Sequence, residues 1–308
     1  MKSALAAEPT TGDIWHDWLL KRRHAPDGPH RQFLQKRMEA VRDRVLDGAK
    51  LTEGMTLVDA GAGEGLIAFG AITRIGPSLR VILADLSLPL LKHAEKLAKD
   101  KGVHSQCAFL QGNAEKLNGL ADASVDVVAT RAMLAYVSDK RAALREFFRV
   151  LKPGGRISLA EPICQDDALA NFALAKMLEA NPSHPQRQFL TLLQRYRAAQ
   201  YPSTEQEIFT NPMTSHSERD LFQLIRETGF AESHLELHID HRRAAAITWD
   251  ASLDISPHPW APTLRQILTE HFTVEERMLL ERGLKPMVES GNPVTHESIA
   301  YLTAEKPG

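Results

Sequence analysis

LVDAGAGEGLIAFGAI, residues 57–72, reads as a buried strand, a glycine-rich turn and the start of an apolar helix. Glycine lets the backbone turn sharply and lets a ligand approach with no side chain in between. A phosphate-cradling P-loop needs Lys and Ser/Thr after its last glycine, but Leu66 and Ile67 follow Gly65 here. The dinucleotide pattern G-x-G-x-x-G fails as well, because Leu66 stands where its third glycine belongs. What remains is G-x-G-x-G at Gly61, Gly63 and Gly65, preceded by Asp59.

The next strand ends in ADLS, which puts Asp85 24 residues after Gly61. A carboxylate at the tip of a neighbouring strand can accept both hydroxyls of a ribose. Asp59 is awkward beside a pyrophosphate but suits a cationic amino group. The turn therefore suits a nucleoside that carries positive charge and no phosphate, as S-adenosylmethionine does.

Outward from this turn, short apolar runs alternate with amphipathic helices. Strands are expected at 56–60, 80–84, 107–111, 125–130 and 156–161, with helices near 64–75, 88–101 and 139–151. Ser87 is placed to cap the second helix, with Pro89 in its first turn and Gly102 after its end. Ser138 is expected to cap the third, and KPGG at 152–155 to stop it. The third connection, 112–124, is short enough to be mostly loop. Such alternation implies a doubly wound, mostly parallel sheet with helices on both faces.

The rhythm changes after Glu161. Residues 13–50 look helical in two pieces broken around APDGPH, and 166–210 and 244–290 look helical too. SERDLFQLIRETGF, 217–230, has Ser217 and Asp220 spaced as a capping box and Gly229 as a stop. Strands at 235–240 and 297–304 bring the total to seven, the last two being antiparallel or edge strands. The expected organisation is an N-terminal helical lid (1–50), a cofactor-binding core (51–165), a helical insertion (166–216) and the rest of the core (217–308) with a second insertion at 244–290.

The chain has 308 residues, 37 basic and 39 acidic, and a net charge of −2, which argues against a general electrostatic grip on nucleic acid. Its two cysteines, Cys107 and Cys164, support neither a disulfide framework nor a four-cysteine zinc site. No run of about 18 apolar residues exists, so no membrane span is expected. A protein of the reducing cytoplasm is the expectation, and a homodimer through the N-terminal helices or the 244–290 insertion stays open.

Residues 50–163 resemble the class I S-adenosylmethionine-dependent methyltransferases, Rossmann-like enzymes, and within them the ubiquinone/menaquinone C-methyltransferase group. The resemblance rests on VDAGAGEG (58–65), LADLS (83–87), FLQGNAEKL (109–117), ASVDVVATRAMLAYV (123–137) and EFFRVLKPGGRISLAEP (146–162). It implies a seven-stranded sheet with a reversed last hairpin and a cofactor, S-adenosylmethionine. It implies that Asp59, Gly61 and Gly63 line the cofactor's methionine part, with Gly65 also among the cofactor-binding residues. Asp85 would hold the ribose, Leu86 would pack on the adenine, and Asn113 with Ala114 would meet the adenine edge. Asn113 stands where the family usually has Asp, so its side-chain oxygen can accept a hydrogen bond only without charge. Arg131 and Ala132 would follow at the fourth strand, Arg131 reaching either the cofactor carboxylate or an anionic acceptor.

Methyl transfer from a sulfonium is an in-line displacement, so the enzyme chiefly aligns the acceptor and excludes water. Tyr136, just past the fourth strand, and Arg131 are the catalytic candidates. Trp15, Trp18, Tyr136, His258 and Trp260 are the acceptor-pocket candidates, and aromatic rings in DIWHDWLLKRRH (13–24) would also suit a cationic acceptor. No metal site is expected. The set His234, His238, His241 lacks supporting ligands, and Glu161, Asp166 and Asp167 have nothing beside them to complete a site. The expected activity is methyl transfer to a small organic molecule. The competing readings are a non-methylating cofactor binder on the same fold, and a protein or RNA methyltransferase.

Overall fold

A computed structural model describes residues 12–24, 28–291 and 294–308. The chain divides into two compact units. One, the sheet unit, comprises Arg37–Ile163, His216–Ile239 and Glu297–Gly308. The other, the helical unit, comprises the described residues through Lys36, Cys164–Ser215 and Asp240–His296.

The sheet unit is built on β1 (Thr56–Ala60), β2 (Arg80–Asp85), β3 (Cys107–Gln111), β4 (Val125–Arg131), β5 (Leu151–Pro162), β6 (Ala231–Arg243) and β7 (Val294–Glu305). They form one sheet in the order β3-β2-β1-β4-β5-β7-β6. The first five pair in parallel, and β7 lies antiparallel to β5. β1 sits centrally, and four of its five residues are buried, as a parallel strand covered on both faces requires.

Successive side chains of β1 serve opposite faces. Val58 and Ala60 join Leu144 and Phe147 of α5 (Lys140–Val150) and Leu221 and Ile225 of α9 (Glu218–Thr228). Leu57 joins Val45 and Leu46 of α2 (Pro29–Ala49), Ile67 and Ala71 of α3 (Leu66–Ile75), and Leu91 of α4 (Leu88–Asp100). Each such fully buried aliphatic contributes about 1.5–3 kcal/mol.

Local signals set the element ends. Ser87 Oγ accepts from Leu90 N at the start of α4, and Ser217 and Asp220 close a capping box on α9, which ends at Gly229 with φ +102°. The sequence expectation fails at two places. Asp139, not Ser138, caps α5, its carboxylate accepting from Ala142 N at 2.9 Å. A charged acceptor at a helix N-terminus is the better partner for the helix dipole. KPGG at 152–155 does not stand between helix and strand: it is the bulged start of β5, whose register against β4 jumps from Leu151 to Arg156. Gly154 takes φ +74°, and Gly154 and Gly155 pair with Lys306. Glycine makes that bulge affordable and lengthens the strand.

The helical unit contains α1 (Ile14–Asp17), continued by a wider π turn over Trp18–Arg22, and α6 (Gln165–Ala180), α7 (Arg187–Ala198) and α8 (Glu205–Thr210). It also holds α10 (Trp249–Leu253), α11 (Leu264–His271) and α12 (Val274–Ser290). Leu192, Ile267, Phe272 and Leu280 make its own small core. No described helix is long and apolar enough to cross a membrane.

Candidate functional site

The carboxyl ends of β1 to β4 gather every residue singled out for the cofactor. After Ala60 the chain turns through Gly61, Gly63 and Gly65 at φ +71°, +53° and +82°, a region that disfavours any residue with a Cβ. Space forbids side chains there too. A Cβ on Gly61 would lie 2.4 Å from Met133 Cγ, and one on Gly65 would lie 2.5 Å from the Phe69 ring. The turn is strapped to β2: Gly61 N and Ala62 N both donate to Ala84 O.

Asp85 ties this turn to the next one. One carboxylate oxygen accepts from Gly63 N and the other from Ser87 N, each at 2.8 Å. A carboxylate at the tip of a strand is the group that can accept the two hydroxyls of a ribose. Beside it Leu86 is 57% exposed, a large apolar side chain left bare at the strand tip, as a platform for a flat ring would be. Asn113 follows β3, where its Oδ1 accepts from Glu115 N and its Nδ2 donates to Glu115 Oε2. Ala114 packs on the core below. Glu115 in turn accepts from Asp139 N, linking this loop to the start of α5.

Asp59 is 2% exposed and accepts from Ala68 N in the first turn of α3. Burial pushes its carboxyl up to about 7, opposed by the Ala68 hydrogen bond and the charge of Arg131 and reinforced by the charge of Asp85. Two carboxylates thus flank the glycine turn, one of them held near neutrality, and a cation would relieve both. Phosphate would meet repulsion. Narrow turn, paired carboxylates and bare Leu86 fit a nucleoside bearing positive charge.

At the tip of β4, Arg131 pairs with Ala160, and Ala132 takes φ +51° while its N donates to Ala160 O. A non-glycine residue in that region stores strain and is held by its surroundings. Glu161 supplies the hold. It is fully buried and accepts from Thr130 Oγ1 at 2.6 Å and from Met133 N and Ala135 N. Burial raises its pKa, and those hydrogen bonds oppose the rise. This brace sets the loop that carries Met133 against Gly61 and Tyr136 one turn on. Sequence reasoning weighed Glu161 only as a metal ligand; its signal was a single acid inside the apolar run RISLAEP.

The remaining acceptor-pocket candidates fall in the helical unit, where they meet one another. Trp15 and Trp260 stand edge to face with centroids 5.9 Å apart, and His258 and Trp260 do so at 6.3 Å. Trp18 Nε1 donates to Ser256 O at 3.0 Å. Tyr201 joins through His258 at 5.3 Å, a partner sequence reasoning missed because it lies more than 50 residues from His258 in the chain. Tyr136 belongs to the other unit.

On the outermost strand, His234 and His238 both lie against Glu236, which also pairs with Arg44. Among the described residues no group of three or more His, Cys, Asp or Glu is arranged to hold a metal ion.

Known proteins resemble this chain in sequence and in fold. Residues 51–215 match the family described as a methyltransferase domain. The ubiquinone/menaquinone biosynthesis C-methyltransferase UbiE of Idiomarina loihiensis is 34% identical over 116 residues, which are 38% of this chain and 46% of that protein. The matched region thus spans about half the length of such curated relatives. Among solved structures, YcgJ of Bacillus subtilis has a TM-score of 0.55 at 20% identity, covering 89% of this chain and 99% of its own. The [4+2]-cyclase SpnF has a TM-score of 0.52 at 17% identity, covering 94% of this chain and 87% of its own. At these identities both share the fold and nothing more is implied. The chain belongs to the methyltransferase-domain family, and its seven-stranded sheet is that of the class I S-adenosylmethionine-dependent methyltransferases.

Proposed function

We propose that this protein binds S-adenosylmethionine at the glycine turn and transfers its methyl group to a small organic acceptor. The observation that carries the reading is the turn itself: three positive-φ glycines with Asp85 hydrogen-bonded across to Gly63 and Asp59 buried beneath. The family match supports it. So does the relative named a C-methyltransferase of ubiquinone/menaquinone biosynthesis, whose name points to a small acceptor.

When bound, S-adenosylmethionine supplies an electrophilic methyl group on a sulfonium. The chain's own residues do the rest. Asp85 accepts the ribose hydroxyls, Leu86 covers the adenine, and Asn113 with Ala114 meets the adenine edge. Asp59 and the backbone of Gly61–Gly65 take the methionine end, and Arg131 with Ala132 borders it. The strained Ala132 and the Glu161 brace keep the loop to Tyr136 in one place, where Tyr136 orients the acceptor. Alignment of an already reactive pair and exclusion of water are the main contributions required. Two cysteines, Cys107 and Cys164, are too few for a disulfide framework, which fits work in a reducing cytoplasm.

Calorimetric titration with S-adenosylmethionine and S-adenosylhomocysteine tests the reading. Wild type should bind both, and Asp85→Ala should weaken both about 10- to 100-fold, the loss expected for hydrogen bonds to a charged group. Wild type that binds neither would remove the proposal. The second reading, cofactor binding without transfer, draws on the likeness to SpnF, named a [4+2]-cyclase. Tight binding with no product heavier by one methylene across a broad panel of acceptors would favour it.

A further inference from the structure

β6 stands last in the sheet order, beside β7, so its other side is an edge. None of its thirteen residues, Ala231–Arg243, is buried. A strand edge presents a row of backbone N–H and C=O groups that a further strand can pair with. Proteins usually blunt such an edge with lysine, proline or a bulge. Glu232, at φ +45°, interrupts β6 at its start, but the stretch that follows, SHLELHIDH at 233–241, holds no lysine, proline or glycine. Its regular run is about 30 Å long.

Alternate residues of this stretch form two rows. In one, Leu235 and Leu237 pack on the core that α5 and α9 share, whereas Ile239 is 57% exposed. The other row reads His234, Glu236, His238, Asp240. Its polar groups pair locally: His234 and His238 lie against Glu236, Glu236 meets Arg44, and Asp240 meets Arg242. All these pairs are at the surface and can exchange partners at little cost.

Two copies related by a two-fold axis perpendicular to the sheet would set β6 antiparallel to itself, with opposed residues on the same face. Centred on Leu237, this pairing puts each His238 opposite the partner's Glu236 and each His234 opposite the partner's Asp240. An imidazole offers a carboxylate an N–H in either protonation state. In the apolar row Leu237 meets itself, and the exposed Ile239 meets the partner's Leu235. A slip of one step sets Glu236 against either Asp240 or itself, and like charges directly opposite destabilise a strand pair. A slip of two steps keeps opposite charges facing but sets Leu237 against either His241 or Ser233. The stretch is thus self-complementary on both faces in one register.

We propose that this protein forms a homodimer through β6, paired antiparallel with a second copy about Leu237, so that the sheet continues from one chain into the other. The dimer stands apart from the methyltransferase reading, since no residue of the glycine turn takes part. One strand pair makes a small interface, so the dissociation constant should be on the order of 10 µM.

Sedimentation equilibrium of the full-length protein, from about 1 to about 200 µM, tests it. Wild type should pass from monomer to dimer over that range. His238→Glu sets carboxylate against carboxylate at both symmetric positions, and Glu236→His sets imidazole against imidazole. Each should weaken the dimer about tenfold. The double variant, Glu236→His with His238→Glu, exchanges the partners in the same register and should return to within about threefold of wild type. Ile239→Lys puts a lysine on the edge opposite the partner's Leu235 and should also weaken the dimer about tenfold. A monomer at every concentration would overturn the proposal. So would a dimer that neither single substitution weakens, which would lie on another surface. A double variant as weak as the two singles would overturn it as well, because the facing pairs would then be others. Should His238→Glu fail to fold by circular dichroism, Glu236→His and Ile239→Lys carry the decision.

Discussion

At the tips of β1 and β2 the proposed cofactor site is mostly backbone: Gly61, Gly63 and Gly65 at positive φ, with amides strapped to Ala84 O and to the Asp85 carboxylate. In the helical unit the aromatic cluster is all side chain: Trp15, Trp260, Tyr201 and His258 brought together from segments as far apart as residues 15 and 260. Backbone sites tolerate little change at any one position but are written in a short stretch of sequence. Side-chain sites tolerate conservative replacement and are scattered. The difference predicts where substitutions will hurt and by how much.

The largest effect should come from Gly61→Val. The new side chain meets φ +71° and a Cβ contact of 2.4 Å with Met133 Cγ, where the neighbouring Met133 Cβ at 2.8 Å leaves no easy escape. The strain should cost about 1–3 kcal/mol of stability and displace the turn. Binding of S-adenosylmethionine should fall below calorimetric detection while circular dichroism still reports a folded chain. A Gly61→Val protein that binds like wild type would break the comparison, because the turn would then be replaceable scaffold.

These differences in material also explain what could be read from the chain. Strands β1 to β4 were legible because each is a short apolar run ending in a turn residue. Asp85 was legible because its place is fixed relative to Gly61. Less was legible where two good local choices compete. Ser138 and Asp139 both make sound caps, and only the folded geometry selects Asp139. Gly154 and Gly155 look like a stop, yet pairing with Lys306 near the far end of the chain draws them into β5. The rings at Trp15, His258 and Trp260 were visible, but their grouping depends on contacts across more than 230 residues, such as Trp18 to Ser256. No local pattern encodes those. Glu161 was seen but its role was not, because a buried acid at a strand end looks the same in sequence whether it holds a metal or a strained loop.

Asp59 sharpens the comparison through pH. Its folded pKa is raised from 3.8 to about 7, so the folded protein holds this proton more tightly than the unfolded chain does. Its contribution to stability is fully present below pH 3.8 and is lost as pH rises through about 7. Asp59→Asn keeps an oxygen that can accept from Ala68 N but carries no charge. Between pH 5 and pH 8, wild type should lose on the order of 2 kcal/mol relative to the variant. Melting temperatures of the two proteins across that range give the answer. A constant gap would mean that Arg131 keeps Asp59 ionised throughout and that burial does not govern this carboxylate. The same experiment with S-adenosylmethionine present should shrink the pH dependence, since a bound cation favours the ionised form.

The smallest effect should come from the helical unit, with Trp18→Phe. The substitution keeps an aromatic ring beside Arg23 but removes the Nε1 donor to Ser256 O. One side-chain hydrogen bond is worth about 0.5–1.5 kcal/mol, so the melting point should drop by a few degrees at most. Cofactor affinity should not change, because no cofactor-site residue is touched. What should change is the stability of the loop that carries Ser256 and His258. A variant that melts like wild type would show that the loop is held by Arg22, through Pro259 O, Ala261 O and Ser256 N, and that the Trp18 hydrogen bond adds nothing. A variant that melts lower by the expected few degrees would show that side-chain placement carries stability in this unit, as backbone geometry does at the glycine turn.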